Sequence, residues 1–395
     1  MFDLSKIQSA LNEFGLDGWL LYDFRGQNIL AHRVLDMPEN AVGSRRFCYF
    51  IPANGSPQKL VHRIESGALD HLPGDKTVYL RWQEFEQGIE SITAGSNKLA
   101  MEYSPRNGNP YVSKVDGGTI ELVRSFGKEL VSSGDLIQYF EARLTPEQWQ
   151  LHLEADKWTQ QAFELSWQMI RDHVQSSKTL YESDVQQMIM DHFHQNGMTT
   201  YHPPIVAVNE NSGDPHYEPV KGSDRVIVEN DFVLIDLWAK MDVPGGIYSD
   251  ITKVGFVGET VPQKFVEIFS IVAAARDAGI QIVKDSFAAG QELFGWQVDQ
   301  ATRDVIDQAG YGAYFVHRTG HNIGQETHGN GAHMDNLETQ EDRTVMRGTC
   351  FSIEPGIYLD EFGVRCEVDV VVDYEGSVHV TGGVQTEIQP ILVSG

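Results

Sequence analysis

The sequence predicts an α+β protein of two domains, a smaller α/β domain followed by a larger one in which helices and strand hairpins are segregated. Three observations predict it. The chain has 395 residues, which at roughly 100–200 residues per domain points to two or three cores. Helical and extended patterns alternate over the first 140 residues. Beyond about residue 143, long helical patterns and paired extended segments occur in separate blocks. A composition of 41% hydrophobic and 22% charged residues is that of a globular protein and excludes a disordered or collagen-like chain.

In the first domain, expected over residues 1–142, Leu4 to Phe14 has helical spacing of apolar residues and ends at Gly15. Trp19-Leu20-Leu21-Tyr22, Phe47-Cys48-Tyr49-Phe50-Ile51, Thr77-Val78-Tyr79-Leu80 and Lys98-Leu99-Ala100-Met101 read as short buried strands of a mixed sheet. No chemical motif occurs here, so the domain reads as a scaffold or partner-facing module.

The second domain, expected over residues 143–395, opens at Arg143-Leu144-Thr145-Pro146. Thr145 suits an N-cap, Pro146 the first helical position, and Gln148 completes a capping box for a helix from about Pro146 to Val174. Further helices are expected at Ser183–Asn196, Gln263–Gly279 and Trp296–Gly310, each with glycine as the stop. Extended segments are expected at Asp231–Lys240, Ile247–Val257, Phe351–Leu359 and Phe362–Asp373.

Charge and cysteine content narrow the function. With 30 basic and 56 acidic residues the formal charge is −26, which argues against nucleic acid and anionic membranes as partners. Cys48, Cys350 and Cys366 are too few and too widely spaced for a disulfide framework or a cysteine-rich zinc site. Met1 to Lys6 shows no basic run leading into a long apolar stretch, so a reducing cytoplasm is the expected setting.

Most acids belong on the surface, but four do not fit that reading. Asp236 interrupts the apolar strand Asp231 to Trp238, and Asp250 lies on the returning strand; the two are symmetric about Val243 in the turn. A simple hairpin would set them directly opposite, about 4.5–5.5 Å apart at Cβ, where like charges destabilise. Glu354 and Glu367 are symmetric about a second turn. Solvated acids in a shifted register, a carboxylate pair sharing a proton, and a site for divalent cations all account for one such hairpin. Two hairpins of the same kind make chance a poorer explanation.

His317-Arg318-Thr319-Gly320-His321-Asn322-Ile323-Gly324-Gln325-Glu326-Thr327-His328-Gly329 gathers three histidines and three glycines before position 329 is passed. Glycine permits the close backbone approach that aims imidazoles at one point. No glutamate follows His317, so the helical His-Glu-x-x-His zinc pattern is absent. A lone histidine is more often a core or surface residue than a ligand, but this cluster beside four paired acids favours a site. His216, in Pro215-His216-Tyr217, precedes the first acid hairpin.

In this order, Pro215-His216-Tyr217, Asp236, Ser249-Asp250-Ile251-Thr252, His317-Arg318-Thr319-Gly320-His321, His328, Ile353-Glu354-Pro355-Gly356-Ile357-Tyr358 and Gly363-Val364-Arg365-x-Glu367 resemble the pita-bread metallopeptidases. That family includes the Xaa-Pro dipeptidases (prolidases), aminopeptidase P and methionine aminopeptidase, with creatinase as a relative without metal. The resemblance covers roughly residues 150–395, and the first domain resembles the N-terminal domain of creatinase and prolidase. It implies a C-terminal pita-bread domain in which Asp236, Asp250, His321, Glu354 and Glu367 bind two divalent metals, Asp250 and Glu367 bridging both. Mn²⁺ suits such carboxylate-rich coordination, with Co²⁺, Fe²⁺ or Zn²⁺ as substitutes.

The implied reaction is attack of a metal-bridging hydroxide on the Xaa-Pro amide of a dipeptide. Glu354 would pass the proton to the leaving nitrogen, while His216, His317 and His328 orient substrate and stabilise the oxyanion. Arg365, on the strand face of Glu367 and two residues away, would fix the Glu367 carboxylate, touch substrate or serve in a structural ion pair, and Cys366 would point into the core. A homodimer acting on short peptides is also implied. The turn between Asp236 and Asp250 is long for the family. His328 is followed by Gly329-Asn330-Gly331-Ala332-His333, where prolidases usually carry an acid and then a proline. Other readings are an aminopeptidase for longer Xaa-Pro peptides, a C–N hydrolase or lyase on the same fold, and a binding protein without catalysis.

Overall fold

A computed structural model of the chain describes residues 2–38 and 43–393, which fold as two compact units, Met1–Phe140 and Glu141–Gly395. In the first unit β1 (Gly18–Asp23), β2 (Phe47–Pro52), β3 (Gln58–His62), β4 (Asp75–Tyr79), β5 (Lys98–Met101) and β6 (Glu129–Ser132) form one sheet in the order β4-β3-β2-β1-β5-β6. β2 is antiparallel to β1 and β3, and the remaining neighbours are parallel, so the sheet is mixed. Helices α1 (Leu4–Glu13), α2 (Ile29–Val34), α3 (Trp82–Ile92), α4 (Gly117–Ser125) and α5 (Gly134–Glu141) accompany it.

Successive strand residues point to opposite faces, so a strand buried on both faces reads as an unbroken apolar run. Trp19 and Leu21 pack with α1, α2 and α5, while Leu20 and Tyr22 pack with α3 and α4. β3 and β6 lie outside the segments that the sequence marks as strands, because Gln58-Lys59 and Glu129 give them polar openings.

The second unit begins with α6 (Pro146–Gln175), capped as its sequence predicts. The Gln148 N–H donates to Thr145 Oγ1 (3.2 Å), and Gln148 Oε1 accepts from the Thr145 N–H (2.9 Å). There follow α7 (Glu182–Gln195), β7 (Met198–Thr199), β8 (Ile205–Val208), β9 (Phe232–Met241), β10 (Ser249–Phe256), α8 (Gln263–Ala289) and α9 (Gly295–Gln308). The remainder is β11 (Asn322–Ile323), β12 (Cys350–Ile353), β13 (Gly356–Tyr358), β14 (Gly363–Arg365), β15 (Val368–Val372), β16 (Val378–Thr381) and β17 (Gln389–Pro390).

α8 does not stop at Gly279; it runs on to a left-handed Gly290 (φ 63°). A Cβ on Gly279 would lie 2.6 Å from Thr302 Oγ1 of α9 and 3.2 Å from Ile353 Cγ2 of β12. That glycine therefore marks close packing in mid-helix, not a terminus.

Two sheets frame the interior, β17-β10-β9-β7 with β8 also on β9, and β11-β12-β15-β16; β13 and β14 form a separate ribbon. Val233, Ile235, Leu237 and Ile251 of the β9–β10 hairpin pack on α6 and α7. Phe232, Leu234, Val254 and Phe256 face the other way, toward α8, and this is the face that also carries Asp236 and Asp250. Cys48 is buried in the first unit, Cys350 and Cys366 in the second, and all three are free thiols. Among the described residues no helix is long and apolar enough to cross a membrane.

Candidate metal centre

The first acid hairpin has a different register from the symmetric one. Asp236 stands opposite Thr252, and Asp250 opposite Trp238, so the two aspartates are diagonal neighbours. The β10 ladder runs from Ser249 opposite Ala239 to Phe256 opposite Phe232, and on the other edge of β9 Lys240 and Met241 pair with Thr199 and Met198 of β7. The hairpin axis lies at Pro244, one residue beyond Val243. This changes the register by two residues, and with a side-chain period of two both acids keep the same face.

The second hairpin has the symmetric register. Ile353 pairs with Val368 and Gly356 with Arg365, which leaves Glu354 opposite Glu367. The ladder is interrupted at these acids. Pro355 has no N–H, the Glu354 N–H donates to Thr319 O (2.7 Å), and the Glu367 N–H donates to Thr252 O (3.3 Å). Backbone bonds thus tie this hairpin both to the histidine segment and to β10.

His321 completes the cluster. Its N–H donates to Ser352 Oγ (3.0 Å), and the absence of a side chain at Gly320 makes the approach possible, since a Cβ there would stand 2.0 Å from Ser352 O. His321 Nε2 lies 3.3 Å from Glu354 Oε1 and 3.5 Å from Asp250 Oδ2. Asp250, His321 and Glu367, all buried, each offer a ligand atom within 4.8 Å of the others. Asp236 adjoins them with one carboxylate oxygen, Oδ2, held by Arg365 and the other, Oδ1, buried without a hydrogen-bond partner.

Arg365 is buried and links three groups: Asp236, Thr252 Oγ1 (3.0 Å) and Tyr358 OH (2.8 Å). It bonds Asp236 and not Glu367; the Glu367 carboxylate accepts instead from Thr252 Oγ1 (2.8 Å). Among the three remaining histidines, His317 is tied by Nδ1 to Arg318 O (2.7 Å) and by Nε2 to Tyr358 OH (2.6 Å). Burial holds it neutral, lowering it to about 4, so Nδ1–H donates to the carbonyl and Nε2 accepts from the tyrosine. The exposed His328 crosses the His321 ring edge-on with centroids 4.2 Å apart, and the His321 charge, then burial, lowers it to about 3. His216 is exposed on the segment between β8 and β9, where its N–H donates to Asp214 Oδ1 (3.0 Å).

Crowding shapes the electrostatics. Burial and then the charge of neighbouring acids push Asp250 and Glu367 well above the carboxylate range. Burial also raises Asp236, opposed by Arg365. Burial works in the same sense on Glu354, but the hydrogen bond and charge of His321, with His317 and Arg365, outweigh it and hold that carboxyl low. Four acids so placed need positive charge, and the unpartnered Asp236 Oδ1 beside the Asp250, His321 and Glu367 donors fits divalent cations.

Sequence reasoning quoted Thr252 and Tyr358 within its motifs but gave them no role, and it missed Asp369. Asp369 is a fully buried carboxylate that accepts the Asp250 N–H (3.0 Å). Its position two residues after Glu367, on the same strand face, was the available signal.

The sequence profile of metallopeptidase family M24 matches residues 150–374. The Xaa-Pro dipeptidase of Lactobacillus delbrueckii subsp. lactis is 29% identical over 380 residues, 95% of each chain. A putative dipeptidase of Bacillus subtilis is 35% identical over 178 residues, which span 45% of this chain and 44% of that protein. Among solved structures, dipeptidase PepE of Mycobacterium ulcerans superposes with a TM-score of 0.65 at 21% identity, covering 98% of this chain and 96% of the other. This likeness, with the mixed α+β architecture, gives the chain the fold of that family.

Proposed function

The chain belongs to metallopeptidase family M24, and we propose on that premise that it hydrolyses the Xaa-Pro bond of dipeptides with two divalent metal ions. One observation carries the reading: Asp250, His321 and Glu367 aim buried ligand atoms at one point, with Asp236 and Glu354 bordering it. These five residues would hold the ions. When bound, the ions neutralise the acids, polarise the amide carbonyl and lower the pKa of water to yield hydroxide. Mn²⁺ suits the donor set, and the Xaa-Pro dipeptidase relative supports the substrate class.

The chain's own groups divide the remaining work. Glu354, held ionised beside His321, takes up a proton at its carboxylate and returns it to the leaving nitrogen. His328, neutral and exposed, donates to the developing oxyanion. His216 orients the peptide from the loop above. His317, with both nitrogens engaged, acts through Tyr358 to keep Arg365 on Asp236. A homodimer in the cytoplasm belongs to the same proposal, and three unpaired thiols accord with a reducing compartment.

The test is turnover by Mn²⁺-loaded protein of Xaa-Pro dipeptides against longer Xaa-Pro peptides. Dipeptide hydrolysis is expected; preference for length would make it an aminopeptidase, and no turnover of either would overturn the reading. The Gly329 to His333 segment, which lacks an acid followed by proline, favours a second reading as a C–N hydrolase or lyase. Turnover of small N-substituted metabolites in place of peptides would establish that alternative.

A further inference from the structure

Several buried acids lie outside the centre and are not used by the mechanism, and Glu182 is one of them. Glu182, the first residue of α7, is fully buried and collects neutral donors. Its Oε1 accepts from the Val208 N–H (2.7 Å) and Asn211 Nδ2 (2.9 Å). Its Oε2 accepts from Tyr217 OH (2.6 Å), the Arg225 N–H (2.9 Å) and Asn211 Nδ2 (3.2 Å). A carboxylate has about four lone-pair positions and no donor, so this environment uses its full capacity. Burying such a charge costs several kcal/mol unless its hydrogen bonds are satisfied.

The donors are spread along one segment. Residues 209–226 contain no α-helix or strand, only the 3-10 turn Asn209–Gly213, further turns and a single β-bridge from Val226 to Tyr181, and Glu182 grips the segment near its start, middle and end. The other side of the segment lies on the second acid hairpin. The Gly363 N–H donates to Ser212 Oγ (2.8 Å), and added Cβ atoms would stand 2.5 Å from Leu359 O at Gly213 and 2.0 Å from Ser212 O at Gly363. Between the two anchorages is His216, next in sequence to the Glu182-bonded Tyr217.

We propose that Glu182 is a positioning residue of the peptide pocket: through Tyr217, Asn211 and Arg225 it holds residues 209–226 on the acid hairpin and so sets the place of His216. The inference rests on the reading of His216 as a substrate-facing group. Charge-assisted bonds are roughly twice as strong as neutral ones, which is what a carboxylate supplies here and an amide would not.

The experiment compares Glu182→Gln, Tyr217→Phe and His216→Ala in the full-length Mn²⁺-loaded protein. Glu182→Gln turns amide N–H groups toward existing donors. Its KM for an Xaa-Pro dipeptide should rise about tenfold with kcat nearly constant, the loss of one or two charge-assisted bonds. Mn²⁺ affinity of the metal-free protein, measured by calorimetry, should change less than about twofold. Trypsin cleavage at Lys221 and Arg225 should accelerate about tenfold. Tyr217→Phe should move both readouts the same way by less, and it decides the matter alone if Glu182→Gln does not fold. Unchanged KM and cleavage, or a loss of Mn²⁺ affinity parallel to the loss of activity, overturns the proposal. Cleavage needs no turnover, so the two readings fail separately. If His216→Ala raises KM but Glu182→Gln does not, the role of Glu182 falls. If His216→Ala leaves KM unchanged, the role of His216 falls and takes the positioning claim with it.

Discussion

Asp250 and Glu367 lie in direct conflict with each other until something positive separates them. Their raised folded pKa values mean that the metal-free chain keeps protons there which an unfolded chain has already released. The stability this confers is complete below the ordinary carboxylate range of about 4 and is lost as pH rises through the folded values. A divalent ion must displace those protons, so its affinity grows with pH. In urea titrations with EDTA or excess Mn²⁺, the stabilisation by Mn²⁺ should be larger at pH 7.5 than at pH 5.5; equal increments would mean that no protons leave. Asp250→Ala and Glu367→Ala should each abolish metal loading, read as ions bound per chain by elemental analysis. Asp242→Ala, in the exposed turn, should leave loading intact.

At the scale of elements, the acid hairpins show what local pattern can and cannot specify. Glu354 opposite Glu367 was legible because the strands on both sides of that turn keep one register, Ile353 on Val368 and Gly356 on Arg365. Asp236 and Asp250 were legible as partners on one face, but their register was not, because a turn as long as Met241 to Gly246 does not fix where its two strands begin to pair. α8 likewise passes Gly279, whose neighbours Thr302 and Ile353 come from other elements. The two-residue spacing of Arg365 and Asp369 from Glu367 placed them on its strand face, but their partners Asp236 and the Asp250 N–H follow only from the meeting of the first hairpin with the second. The junction of the histidine segment with β12 is the most constrained of these contacts. Gly320→Ala would push a methyl group into Ser352 O and should cost about 3 kcal/mol in urea unfolding. By displacing His321 it should also weaken Mn²⁺ binding, and unchanged affinity in calorimetry would separate the ligand from its support.

For the molecule as a whole, the excess of 56 acids over 30 bases is unevenly distributed, since part of it is buried at the centre. Two bound divalent ions would bring the working charge from −26 to about −22, cancelling repulsion where it is buried and least screened. Of the other acids, Glu182 and Asp369 are also fully buried, so the excess is not surface charge alone. The division into two units has a consequence for kinetics as well. Cys48 lies wholly inside the first unit and Cys350 and Cys366 wholly inside the second, with burial pushing every thiol pKa upward. A thiol-reactive dye in dilute denaturant should therefore count one sulfur when the first unit opens and two when the second does. Nature has left the protein with a built-in clock for each half, and the ratio of the two labelling rates would tell which half is the more durable.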